Sequence, residues 1–169
     1  MAVNDLLCGA LLASPPASNA AALEFRAGGS TDNEVYPIWA FDAASAEKLD
    51  LIGAMSPKYT GADFKVRLPW VAASATSGGV RWAAAFRRMD TAEDVDASLA
   101  YSEQAATSTA PGTNGFTVYP EITFTQAQAD SIAAGEWFVL RIRRDVAHAG
   151  DDMTGDAQLV AHAVQLIEV

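Results

Sequence analysis

Apolar and polar residues alternate along most of this chain, and the alternation has the period of two that defines a half-buried β-strand. In "DFKVRLPWVAAS", Phe64, Val66, Leu68 and Trp70 fall on one face, while Lys65 and Arg67 fall on the other. "VRWAAAFRRM" repeats the pattern, with Val80, Trp82, Ala84 and Phe86 set against Arg81 and Arg87. Between these runs lies "ATSGG", whose glycines accept turn conformations, so the two runs are expected to pair as a hairpin or as neighbouring strands. In "EWFVLRIRRD", Phe138, Leu140 and Ile142 oppose Trp137, Val139, Arg141 and Arg143. The final run, "AQLVAHAVQLIEV", reads as one strand with Val160, His162, Val164 and Leu166 on one side.

Four weaker strand patterns complete the series. "EVYPIWAFD" is aromatic and β-branched, and its Pro37 predicts an edge strand or a bulge. Residues 47–55 and "LAYSEQAATS" are further candidates, and "FTVYPEITFT" predicts a strand pair or a strand bent at Pro120. One segment reads differently. Thr125 and Gln128 have the spacing of a capping box, good helix formers follow, and Gly135 stands where a helix would be capped, so a short helix is expected there. About eight strands and one short helix describe an all-β chain, a sandwich or a barrel.

The first 22 residues lack this alternation. They are rich in Ala, Ser and Pro, and Pro15-Pro16 excludes a regular helix or central strand. Leu6–Ala13 is apolar, but no Lys or Arg precedes it and Asp5 stands where a signal peptide carries positive charge. The segment is therefore read as an extended N-terminal arm ahead of a sandwich domain at residues 23–169. The arm is either a loose terminus or an element that docks on a neighbour, with Leu6, Leu7, Leu11, Leu12, Pro15 and Pro16 as its candidate contacts with a partner.

A length of 169 residues suits one domain with its own core. Its formal net charge is -10, with 11 Lys+Arg against 21 Asp+Glu, which argues against nucleic acid and anionic membranes as partners. The single cysteine, Cys8, cannot form an intrachain disulfide.

Candidate chemistry is sparse. The sequence has no GxSxG elbow, phosphate-binding loop, HExxH or GxGxxG. Its histidines are His148, in a loop, and His162, expected within a strand, and neither sits in a nucleophile–base pattern. No catalytic residue, cofactor site or metal site is assigned. Two acidic stretches could offer oxygens to calcium: Asp90, Glu93, Asp94 and Asp96, and Asp145, Asp151, Asp152 and Asp156. Aspartate is equally the residue of turns, because its carboxylate accepts hydrogen bonds from nearby backbone N–H groups, and the turn reading is preferred. If the chain binds sugar, Tyr36, Trp39, Tyr59 and Tyr119 are the aromatic candidates.

A resemblance extends these readings. Phe41, Asp42, Glu47, Pro57, Tyr59, Gly61, Val66, Leu68, Trp70, Thr76, Gly78, Val80, Trp82, Phe86 and Arg88, followed by "AAGEWFVLRIRRD" and "DDMTGDAQLV", form a linked pattern. The pattern resembles small virion-associated proteins encoded among the structural genes of tailed bacteriophages. It departs from them at Gly61-Ala62, where such proteins often carry two glycines. The resemblance implies a jelly-roll sandwich and a role in the virus particle; it supplies no catalytic residues, so no enzymatic activity is expected, and the expected location is the particle surface after synthesis in the bacterial cytoplasm. The leading expectation is a capsid decoration or cement protein, bound to the major capsid protein and to copies of itself, taken as a homotrimer. The alternative is a tail-fibre, receptor-binding or glycan-binding module, and a hydrolase acting on host surface polysaccharide ranks last.

Overall fold

A computed structural model describes residues 11–29, 34–91, 93–96 and 101–169. The described residues are all β apart from one 3-10 turn, and every strand pairing is antiparallel. The architecture is a jelly-roll-like β-sandwich. Five strands make one sheet, in the order β1 (Leu12–Ser14), β4 (Lys48–Ala54), β10 (Trp137–Arg144), β7 (Gly79–Met89), β8 (Ser102–Thr109). The opposing layer has a four-stranded sheet, ordered β2 (Ala22–Ala27), β3 (Val35–Phe41), β11 (Ala157–Leu159), β6 (Trp70–Ala72). Its other part is a three-stranded sheet, ordered β12 (Gln165–Glu168), β5 (Phe64–Arg67), β9 (Glu121–Phe124).

The apolar faces named by the alternation meet between the layers. Trp82 of β7 packs edge-on against Phe41 of β3, with centroids 5.1 Å apart, and lies 6.0 Å from Trp70 of β6. Phe86 contacts Phe64 at 5.2 Å, Phe124 at 5.4 Å and Phe138 at 4.9 Å. Such aromatic contacts add specific geometry to a large apolar burial. Phe138, Leu140 and Ile142 are fully buried, as their spacing predicts.

Several local expectations are corrected. The strands number twelve among the described residues rather than eight. The run at 64–72 is two strands in different sheets. The break falls at Pro69, which has no N–H to donate, and Leu68 and Trp70 donate to the carbonyls of Pro120 and Val118. These strands do not pair with β7 as a hairpin; they face it across the core, and the intervening turn carries the chain from one layer to the other. The last run is likewise divided, because the 3-10 turn at Ala161–Ala163 separates β11 from β12. Pro37 lies in a central strand rather than at an edge. In the register of β3 with β11, Pro37 lies opposite Ala161, where the chain has already left the ladder, so its missing N–H deprives no partner.

No helix forms at 125–135 among these residues. The capping-box hydrogen bonds are present: Thr125 N–H donates to Gln128 Oε1 at 2.9 Å, and Gln128 N–H donates to Thr125 Oγ1 at 3.3 Å. One turn later Asp130 and Ser131 adopt left-handed φ values of 58° and 56°, which end the helical path. The turn places Ala129 and Ile132 in the core. Local capping is satisfied, and burial of Ile132 decides the rest.

The segment read as an arm enters the sandwich at its described end. Leu11 is buried in the core and β1 pairs with β4, with Ala13 opposite Leu51. Leu12 is exposed, Pro15 is exposed and Pro16 half-buried. Leu6 and Leu7 lie outside the described residues.

Candidate functional site

The Asp-rich connection between β10 and β11 is built around a cation. Arg144 follows the inward parity of Phe138, Leu140 and Ile142, so its guanidinium enters the protein. It forms an ion pair with Asp151 at 2.8 Å, the two side chains being 0% and 1% exposed. Arg144 also donates to the carbonyls of Gly155 at 2.8 Å and Met153 at 2.7 Å. Asp151 additionally accepts from Arg81 N–H at 2.9 Å, and Asp152 from Gly79 N–H at 2.5 Å. A Cβ on Gly78, whose φ is +95°, would stand 2.6 Å from Met153 Cα, so the loop closes directly onto the β7 backbone. His148 is exposed, and its Nδ1 accepts from Gly150 N–H at 2.9 Å. The carboxylates therefore fasten a loop to a strand. In the other acidic stretch, Asp90 and Asp94 accept from the N–H groups of Thr91 and Asp96. Among the described residues no three His, Cys, Asp or Glu converge as a metal-binding group.

The outer face of the four-stranded sheet has different chemistry. A groove of about 620 Å³ runs along it. Its floor includes Ile38 and Val71, both buried, with Pro69 and Val160 beside them. Tyr36 of β3 and Tyr119 of the β8–β9 connection line it, 44% and 59% exposed, and so does the exposed His162 of the 3-10 turn. Thus the broken final strand, which turns at 161–163, is what delivers His162 to the groove.

Arg26 is the fixed cation of this face. Its Nη1 donates to Gln158 Oε1 at 2.7 Å and to Ala72 O at 3.2 Å, and its Nη2 donates to Asn114 Oδ1 at 3.1 Å. Gln158 in turn donates to Glu24 Oε2 at 3.2 Å. The network ties β2 to β11 and to the loop carrying Tyr119. A guanidinium has five N–H donors, so Nε–H and one N–H of Nη2 have no partner among the described residues.

Of the four aromatic candidates, two converge. Tyr36 and Tyr119 share the groove. Trp39 is half-buried against the core, on the opposite face of β3. Tyr59 is buried, its hydroxyl donating to Ala62 O at 2.6 Å. Arg26, His162 and Gln158 have no signal of their own in the sequence. Arg144 does, since the parity of β10 extends to it.

No family model matches this chain, and no curated protein matches it. Its similarity to solved structures is low. The family 11 carbohydrate-binding module from Clostridium thermocellum, in complex with a β-1,3-1,4-mixed-linked tetrasaccharide, is 8% identical, with a TM-score of 0.45 over 98% of each chain. TmCBM61 in complex with β-1,4-galactotriose is 11% identical, with a TM-score of 0.43 over 94% of this chain and 88% of that one. The enzymatically active domain of bacteriophage CBA120 tailspike protein 4 is 9% identical, with a TM-score of 0.42 over 94% of this chain and 19% of that one. At this similarity these structures assign the chain neither a family nor a ligand.

Proposed function

We propose that this protein is a glycan-binding module and that the groove on the outer face of the four-stranded sheet is its binding site. The observation that carries the reading is the juxtaposition of Tyr36 and Tyr119, exposed along a groove that also presents the tethered guanidinium of Arg26. A sugar ring has apolar C–H faces and a rim of hydroxyls. Tyrosine offers a flat apolar face with a polar tip, and stacking against it desolvates the C–H face. Arg26, Thr117 and His162 supply polar groups that can meet the hydroxyls. Arg26 keeps two donors for this purpose, and its other bonds hold it in place before a ligand arrives. The groove volume of about 620 Å³ is within the usual range for small-ligand sites, roughly 300–1,000 Å³.

The setting of such a module at a virion surface follows from the sequence resemblance alone. The capsid-decoration reading rests on the same resemblance; of the arm expected to reach for a shell, Leu11–Ser14 are part of the sandwich. A receptor-binding role at the particle surface agrees with the groove. The test is a glycan array probed with the intact protein: binding to a defined set of oligosaccharides supports the proposal, and no binding to any glycan contradicts it.

A further inference from the structure

No aspartate or glutamate is among the described residues that line the groove, although the chain carries 21 Asp+Glu against 11 Lys+Arg. The fixed charge of the groove is that of Arg26. Arg67, Arg87, Arg88, Arg141, Arg143 and Arg144 each pair with a carboxylate, whereas Arg26 pairs with none among the described residues. Its acceptors at Gln158, Ala72 and Asn114 are all neutral, so they hold the guanidinium without cancelling its charge. Two carboxylates on the same strands are engaged elsewhere. Glu24 accepts from Gln158 Nε2, and Glu34 accepts from the Tyr36 hydroxyl.

The donors left to Arg26 are Nε–H and one N–H of Nη2. Arg141 and Arg143 hold carboxylates with these same two nitrogens. Arg141 donates to Asp50 from Nε at 2.7 Å and from Nη2 at 2.8 Å. Arg143 donates to Glu103 from Nε at 2.6 Å and from Nη2 at 2.5 Å. Such a fork matches the two oxygens of a carboxylate better than a single hydroxyl. Gly115 keeps the approach open: its φ is +86°, and a Cβ there would stand 3.2 Å from Arg26 Nη2. Arg26 also lies opposite Tyr36 in the β2–β3 register, so the two side chains are neighbours on one face of the sheet.

We propose, resting on the glycan reading of this groove, that its ligand is an acidic glycan and that Arg26 holds the carboxylate of a uronic acid unit. A uronic acid carries its carboxylate on C5, at the rim of the pyranose ring. With that ring stacked on Tyr36, the rim faces the guanidinium on the neighbouring strand. A neutral sugar offers hydroxyls alone and leaves the half-buried cation without a counter-charge. Hydrogen bonds between charged partners are roughly twice as strong as neutral ones, so the carboxylate becomes the selected feature of the ligand.

The test is calorimetric titration of the intact protein with oligosaccharides of galacturonic, glucuronic and mannuronic acid. Each is paired with its carboxyl-reduced counterpart, which has the same length and linkage without the charge, and a sulfated neutral oligosaccharide is added. At least one uronate is expected to bind, with its reduced counterpart roughly tenfold or more weaker. Its affinity is expected to fall as salt rises. Arg26→Gln is expected to erase the preference for the acid. Lys58→Gln removes an exposed charge outside the groove and is expected to keep it. Thermal melts confirm that each variant is folded, and the wild-type comparison of acid with reduced ligand needs no variant. Reduced glycans bound as tightly as the uronates overturn this inference and leave glycan binding standing. So does the sulfated glycan bound in place of the uronates, or a preference that survives in folded Arg26→Gln. Binding to no glycan at all overturns both readings.

Discussion

Arg144 and Asp151 lie 2.8 Å apart, and neither side chain reaches solvent. Two buried charges are costly to desolvate, and the cost is offset only when geometry and further hydrogen bonds are good. Here the guanidinium also serves the carbonyls of Met153 and Gly155, and the carboxylate also serves Arg81 N–H. The pair is the keystone of the loop that joins the two layers. Arg144→Met leaves Asp151 buried without a cation. It is expected to destabilise the fold by about 3–5 kcal/mol, a fall in Tm of roughly 6–20 °C. Thermal unfolding of the purified variant measures it.

Tyr59 gives an alkaline prediction. Burial first, and then the nearby Glu168 and Asp63, push its phenol up from 10.0 to about 12. A raised value in the folded state means that the neutral phenol stabilises the fold below pH 10, and that this stability is lost as pH rises toward 12. Tyr59→Phe removes the bond to Ala62 O and is expected to cost about 1 kcal/mol at neutral pH. The gap between wild type and variant should close above pH 10 in denaturant titrations. A gap constant with pH would contradict this origin.

Asp156 is the acidic counterpart. Partial burial, and after it the charges of Asp42 and Glu24, hold its carboxyl above the usual range, with Arg144 opposing. The folded state thus favours the protonated form, and stability is lost as pH rises through the raised value. Asp156→Asn is expected to raise stability at neutral pH by up to about 1 kcal/mol, as for partly exposed charges. The gain should vanish in acid, where the wild-type carboxyl is itself protonated. Melting temperatures of both proteins across pH 3–8 check the sign.

Much of the fold is legible in the sequence where strands alternate cleanly. Phe138, Leu140 and Ile142 read as an inward face and are one. Arg144 belongs to the same face by parity, yet an arginine there reads as polar unless its buried partner is known. Local patterns failed where tertiary demands overrode them. The capping box at Thr125 forms, but Asp130 and Ser131 reverse the chain so that Ile132 can enter the core. Leu68 and Trp70 both face inward, and nothing in their spacing says that Pro69 transfers the chain between sheets. The groove was half legible. Tyr36 and Tyr119 stand out as aromatics, but only the topology brings the β8–β9 connection over β3. Arg26 and His162 reach the groove through long-range pairing that no local pattern encodes.

The central claim rests on the tyrosines of the groove. The direct measurement is calorimetric titration of wild type, Tyr36→Ala, Tyr119→Ala and Trp137→Ala with an oligosaccharide bound on the array. Trp137 is an exposed aromatic on the other layer and serves as the control. Each tyrosine variant is expected to lose roughly three- to tenfold in affinity, the scale of one aromatic stacking contact, with Trp137→Ala unchanged. Wild-type affinity in both folded tyrosine variants, or a loss confined to Trp137→Ala, would contradict the account.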